Sequence, residues 1–168
     1  MLPANFLLKK LWCSMRFAYE TIVNASLEHA FAFFSRPKNL ESLMSGRTSF
    51  RLMKCDELLR IDGELWVEET VLGILPIAMG FRFVGLDRPK SFAEQMIHGP
   101  FELFEHRHVF EAKGEATMLR DEIECRLKWP YGGELATRLL VARALSKMFA
   151  YRSGRIDSIL NDKRGPKQ

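Results

Sequence analysis

Two histidines and one carboxylate stand where strand parity can bring them together. Over residues 101–112 the alternation puts Phe104, His106, His108 and Phe110 on one face and Leu103, Glu105, Arg107 and Val109 on the other. Over residues 116–129, Leu119, Asp121, Ile123, Cys125 and Leu127 form an apolar face opposed by Arg120, Glu122, Glu124, Arg126 and Lys128. Asp121 is thus a carboxylate among apolar neighbours. A hairpin centred on Lys113-Gly114 sets Phe110 beside Thr117, His108 beside Leu119, His106 beside Asp121 and Phe104 beside Ile123. A slip of one residue would lay an apolar face against a charged one, which strand pairing disfavours.

An imidazole beside a carboxylate keeps one tautomer and gains proton affinity. Such a pair can line a wall as a satisfied polar contact, orient a ligand, or exchange protons with a substrate. His106-x-His108 with Glu111 is close to a metal-binding pattern, but parity turns Glu111 to the opposite face, so no metal is expected. Cys125 has no activating signature, and neither GxSxG nor GxGxxG occurs, so neither nucleophilic catalysis nor a nucleotide cofactor is indicated. His29 and His98 read as surface residues. Trp66, Phe81, Phe83, Phe92 and Trp129 read as sheet aromatics, and Tyr151 with Arg152 could close a cavity from a helix opposite.

The elements that must hold these residues follow from changes of period. Residues 16–24 alternate as a strand, with Phe17, Tyr19, Thr21 and Val23 on one face. Ser26 suits a helix N-cap, followed by Leu27, Phe31 and Phe34 at helical spacing, and a second short helix carries Leu40, Leu43 and Met44. Extended runs follow near 48–53, 64–72, 77–86, 91–97, 101–112 and 116–129, most separated by Gly, Pro or Asp turns, which makes an antiparallel meander. From Gly133 to about Leu160 the period is helical, and Leu135, Leu139, Ala142, Leu145, Phe149, Ile156 and Leu160 are expected to face the sheet. The fold class is therefore α+β, a curved antiparallel sheet of about seven strands around a long C-terminal helix, and a space between them suits an apolar ligand.

The 168 residues, 47% hydrophobic, can bury an ordinary core, and the 27% charged residues are well mixed. Three cysteines at long spacings suggest a reducing compartment, and no apolar run is long enough to cross a membrane, so a cytoplasmic protein is expected. The net charge of +4 comes largely from the C-terminal third, where no nucleic-acid motif accompanies it, so no nucleic-acid partner is expected. Residues 1–14 read as an N-terminal arm, with Met15 as an alternative start, residues 15–161 as one domain, and residues 162–168 as a disordered basic tail.

The chain resembles the START-like, or SRPBCC, superfamily with its helix-grip fold. The likeness spans roughly residues 16–160. More narrowly, Phe92-x-x-Gln95, Gly99-Pro100-Phe101, Phe104-x-His106-x-His108-x-Phe110 and Thr117-x-x-x-Asp121 are similar to a bacterial cyclase/dehydrase-like subgroup of small ligand-binding proteins. That subgroup often carries a tryptophan where this chain has Phe104. The resemblance implies binding or transport of a small hydrophobic or amphipathic ligand, and it adds Gln95 to His106, His108, Asp121, Phe104, Phe110 and Ile123 as ligand-binding candidates. A polyketide cyclase, aromatase or dehydratase-like enzyme using the His/Asp pair, and a protein-interaction module, are the alternatives.

Overall fold

The computed structural model describes residues 14–46, 50–71 and 75–161. Strand β1, Met15–Val23, alternates half-buried and exposed side chains as its period requires. Ser26 caps helix α1, Leu27–Phe34, its Oγ accepting the His29 N–H at 3.3 Å, with Glu28 in the first turn where the helix dipole favours a carboxylate. A short 3-10 turn at Pro37–Asn39 leads into α2, Leu40–Met44. The remaining strands are β2 (Phe50–Cys55), β3 (Glu64–Val71), β4 (Leu75–Asp87), β5 (Ser91–His98), β6 (Phe101–Lys113) and β7 (Ala116–Leu127). All pairings are antiparallel, in the order β1-β7-β6-β5-β4-β3-β2, so the meander closes by laying β1 on β7. The helix-grip architecture expected from the sequence is present.

Bulges bend the sheet. The β4–β5 register shifts between Gly80 and Phe81 and again between Phe83 and Gly85. Gly80 is also required by contact: a Cβ there would stand 2.9 Å from the Trp66 ring that lies across it. The concave face buries Phe81, Phe83, Phe92, Phe110 and Leu119 against Phe31 of α1, Leu43 of α2 and the far end of the C-terminal helix, Ile156 and Leu160.

That helix differs from its expected form. It runs as α3 (Gly133–Ala136), a π-helical stretch (Thr137–Val141) and α4 (Ala142–Asn161). Hydrogen bonding from i to i+5 turns the chain less per residue, so the stretch rotates everything before it by roughly a quarter turn relative to α4. Thr137 and Gly133 therefore face inward, in line with Leu145, Phe149, Ile156 and Leu160, whereas Leu135 and Leu139 point to solvent. The expected stripe is correct from Leu145 onward and wrong for those two leucines.

Thr137 pins the distortion. Fully buried, it donates to Gly133 O at 2.7 Å and accepts the Leu127 N–H at the end of β7 at 2.9 Å. Thr137→Val keeps the shape and orphans that N–H, so urea unfolding should show a loss of about 1 to 3 kcal/mol. A change below about 0.5 kcal/mol, the scatter expected of a neutral site, would mean the contact does not hold the helix start.

Residues 1–13, which contain most of the expected arm and Cys13, and 162–168, the expected tail, lie outside the described residues, as do Thr48 and Leu72. Ser14 itself hydrogen-bonds Glu124, which also meets Arg16 at 3.0 Å. Among the described residues no helix is long and apolar enough to cross a membrane.

Candidate functional site

The β6–β7 turn is Gly114-Glu115, closed by Lys113 opposite Ala116, rather than Lys113-Gly114. Gly114 has φ 66°, and glycine at the first central position of a two-residue hairpin loop accepts that angle without strain. The register is therefore displaced by two from the expected one. His108 faces Asp121, His106 faces Ile123, Phe110 faces Leu119 and Phe104 faces Cys125. A slip of two preserves every face, so the inner wall still holds Phe104, His106, His108, Phe110, Asp121 and Ile123.

Asp121 reaches both imidazoles. Its Oδ1 lies 2.7 Å from His108 Nδ1, directly across the strands, and 2.9 Å from His106 Nε2, on the diagonal. The expected His106–Asp121 contact is thus made, though the two residues are not paired opposite one another. The other ring nitrogen of His106 meets Glu94 Oε1 at 3.2 Å, because β5 pairs Glu94 with His106 and Phe92 with His108. From α4, Arg152 places Nη1 3.9 Å from Asp121 Oδ1, its guanidinium over the Phe149 ring. Rings enclose the group. Phe92 stacks on His108 at 4.1 Å, Phe149 stands edge-on to His106, and Tyr19 stacks on Phe149 at 4.3 Å.

Gln95 is not in this group. It is exposed on the convex side, donating to Glu105 Oε1 at 2.6 Å. Three residues from inward Phe92 it has the opposite parity, and Glu94, two away, has the right one. Parity counted from Phe92 is the signal that finds Glu94. Of the two helix residues expected to close the cavity, Arg152 is buried against the network, while Tyr151 hydrogen-bonds Ser45 O instead.

The electrostatics follow from this geometry. Burial opposes a charge on His106, but the hydrogen bonds it donates to Asp121 and Glu94, and their negative charges, outweigh it and raise its pKa. With a carboxylate at each ring nitrogen, the doubly protonated imidazolium is the form that satisfies both. Burial would also raise Asp121, yet the Arg152 guanidinium and the two histidines hold it well below the usual carboxylate range. Glu94 is lowered as well, its burial being outweighed by His106, His108 and Arg152. His108 goes the other way: burial, then the charge on His106, depress it to about 4 despite Asp121. His108 is neutral near pH 7, and since ionised Asp121 can only accept, the His108 proton sits on Nδ1 and a lone pair on Nε2. Two carboxylates are balanced by one imidazolium and one guanidinium.

Glu94, His106 and His108 also bring three donor atoms within 4.8 Å of one another, a set a divalent cation could use. Occupation would require removing a proton from His106 and breaking its hydrogen bond to a carboxylate, next to the Arg152 charge, so the resident arrangement favours the hydrogen-bonded network. Glu111 sits on the other face, 3.4 Å from Lys113. Cys55 and Cys125 are free thiols, and burial pushes Cys125 up to about 12, an inert group. His29 and His98 are exposed.

A family described as polyketide cyclase / dehydrase and lipid transport matches residues 23–150. The chain belongs to this family. Membership supports a coarse function of ligand binding or cyclase-type chemistry. The START-like resemblance of the sequence is upheld by the family and by solved structures. Protein Ms6760 of Mycobacterium smegmatis superposes with a TM-score of 0.67 at 14% identity, covering 86% of this chain and 90% of that one. Major latex-like protein 151 of Panax ginseng gives 0.62 at 10% identity, covering 86% and 96%. A norcoclaurine synthase point mutant from Thalictrum, in complex with a transition-state analogue, gives 0.65 at 18% identity, covering 88% and 94%. At these identities the structures share the fold alone. No curated protein sequence matches the chain.

Proposed function

We propose that this family member binds a small amphipathic molecule between the concave sheet and α4, with the His106–Asp121 network as its polar handle. The observation that carries this reading is that the network is buried without being sealed. The side chains of Glu94, His106, His108, Asp121 and Arg152 each keep between 7% and 11% of their surface accessible. A buried ionic group of this kind is a poor device for stability, since apolar residues of equal volume usually do as well or better. The perturbed acidities of its members are the ordinary mark of a site. With its proton on Nδ1 toward Asp121, His108 offers a lone pair at Nε2, which suits a ligand whose polar end is a donor, a hydroxyl or N–H group. Its apolar part would lie against Phe92, Phe104 and Phe149. A surface cleft of about 270 Å³ between α2 and β2 is lined by Glu41, Met44, Phe50 and Leu52, of which Phe50 and Leu52 pack against the same core.

Cyclase or dehydratase chemistry is the second reading, favoured by a charged and a neutral imidazole whose centroids lie 3.9 Å apart. Against it, both N–H groups of His106 are committed to carboxylates, so neither is free for a leaving group.

Native mass spectrometry of protein purified from its own host tests the proposal through the molecule retained. His106→Ala should weaken retention by about 1 to 3 kcal/mol, the cost of leaving buried carboxylates unpaired. Val23→Ala, a core change outside the network, serves as the comparison at matched folded fraction. Equal retention by both variants would make the histidine purely structural. Conversion of the recovered molecule on incubation with the wild-type chain, with loss of water, would decide for the enzyme.

A further inference from the structure

The first turns of the C-terminal helix carry an apolar surface that the ligand site does not use. Trp129 is 74% exposed, Leu135 68%, Leu140 66%, Leu139 60% and Tyr131 56%. These are five of the twelve large hydrophobic side chains exposed among the described residues, and they fall within residues 129–140 while the other seven are scattered along the chain. Single exposed leucines need no explanation, but a cluster does. The π-helical stretch adds Leu135 to it, since a regular helix would leave that residue on the core side.

The charge around the cluster limits what can cover it. Over residues 128–147 stand Lys128, Arg138, Arg143 and Lys147, all exposed, against the single carboxylate of Glu134. Leu135, Leu139 and Arg143 succeed one another at intervals of four, so apolar and cationic side chains share one ridge. A second copy of this basic patch would be repelled. Residues 1–13 carry Lys9 and Lys10 and no acid, so they too bring like charge. Aromatic rings at the base, leucines along the ridge and cations at its flank match the boundary of an anionic bilayer, where Trp and Tyr sit at headgroup level and Lys and Arg meet lipid phosphates.

We propose that the ridge over residues 129–140 docks the protein reversibly on an anionic phospholipid surface. The docking face lies at the start of the helix, apart from the His106–Asp121 network, and does not depend on what that network binds.

Cosedimentation of the full chain with vesicles tests this, using phosphatidylcholine alone or with roughly a third phosphatidylserine. The chain should partition onto the anionic vesicles, not the neutral ones, and raised salt should release it. Leu135→Ser with Leu139→Ser should lower partitioning by about tenfold or more, because both side chains would enter the interface. Arg138→Gln with Arg143→Gln should also lower it by about tenfold or more. Neither pair should change the melting temperature, since the residues are already in water. Failure of the wild-type chain to bind anionic vesicles, or undiminished binding by the leucine pair, overturns the proposal. So does a dimer in light scattering that the leucine pair abolishes, which would assign the ridge to a second copy. A fall in melting temperature in the leucine pair, with no vesicle binding by the wild type, would assign it to residues 1–13.

Discussion

Asp121→Asn is expected to cost about 3 to 5 kcal/mol of folding stability, far more than an isosteric change usually does. The carboxylate serves three partners at once: His106 at 2.9 Å, His108 at 2.7 Å and Arg152 at 3.9 Å. Asparagine keeps the volume, so no cavity forms. It removes the charge that offsets the guanidinium and the imidazolium, and leaves Arg152 buried over Phe149 with Glu94 as the remaining carboxylate of the network. Urea unfolding would read the loss directly, and for a domain of this size the melting temperature should fall by about 2 to 4 °C per kcal/mol. Adding Arg152→Met to the variant should recover part of the loss, because the orphaned charge leaves with it. A loss below about 1 kcal/mol, the value typical of solvated pairs, would mean that water screens the group.

The parts of this network differ in how visible they are along the chain. Strand parity places His106, His108 and Asp121 on one inner wall, because a period of two assigns faces without knowledge of the partner strand. The register is harder, since Lys113-Gly114 and Gly114-Glu115 both offer a glycine to the turn and the two registers differ by an even number. Burial alternation cannot tell them apart. Glu94 is hidden by its charge: Phe92, Glu94 and Met96 share the inward parity of β5, but a carboxylate there reads as a break in the apolar face. Arg152 needs the placement of α4 across the sheet, a tertiary fact that helical period alone does not contain. The π-helical stretch leaves no local mark, because Leu135, Leu139 and Ala142 continue a plausible stripe, and the outward rotation depends on Thr137 bonding to the end of β7.

Acid should weaken the fold in a window that belongs to His108. Its pKa is depressed from 6.5 to about 4, so the unfolded chain takes up a proton there that the folded chain refuses. The His108 contribution is level above pH 6.5 and falls as pH drops from 6.5 toward 4, by about 3 kcal/mol in all, since each tenfold loss of proton affinity is worth about 1.4 kcal/mol. The other members act elsewhere. His106 is raised, so its contribution is complete below 6.5 and is lost only as pH climbs through its folded value. Glu94 and Asp121 are lowered, so theirs is complete above 4.5 and 3.8 and fades below those values. Between pH 4.5 and 6.5, His108 is therefore the member of the network whose linkage changes. His108→Asn keeps an N–H donor toward Asp121 and removes the titration. The variant will be less stable at every pH, having lost the Phe92 stack, so the comparison is of slopes. Unfolding free energies of the wild type should decline through this window while those of His108→Asn stay nearly level. Parallel slopes would show that His108 takes up its proton in the folded chain as readily as in the unfolded one. The Nε2 lone pair assigned to the ligand's donor would then be occupied in the same pH range.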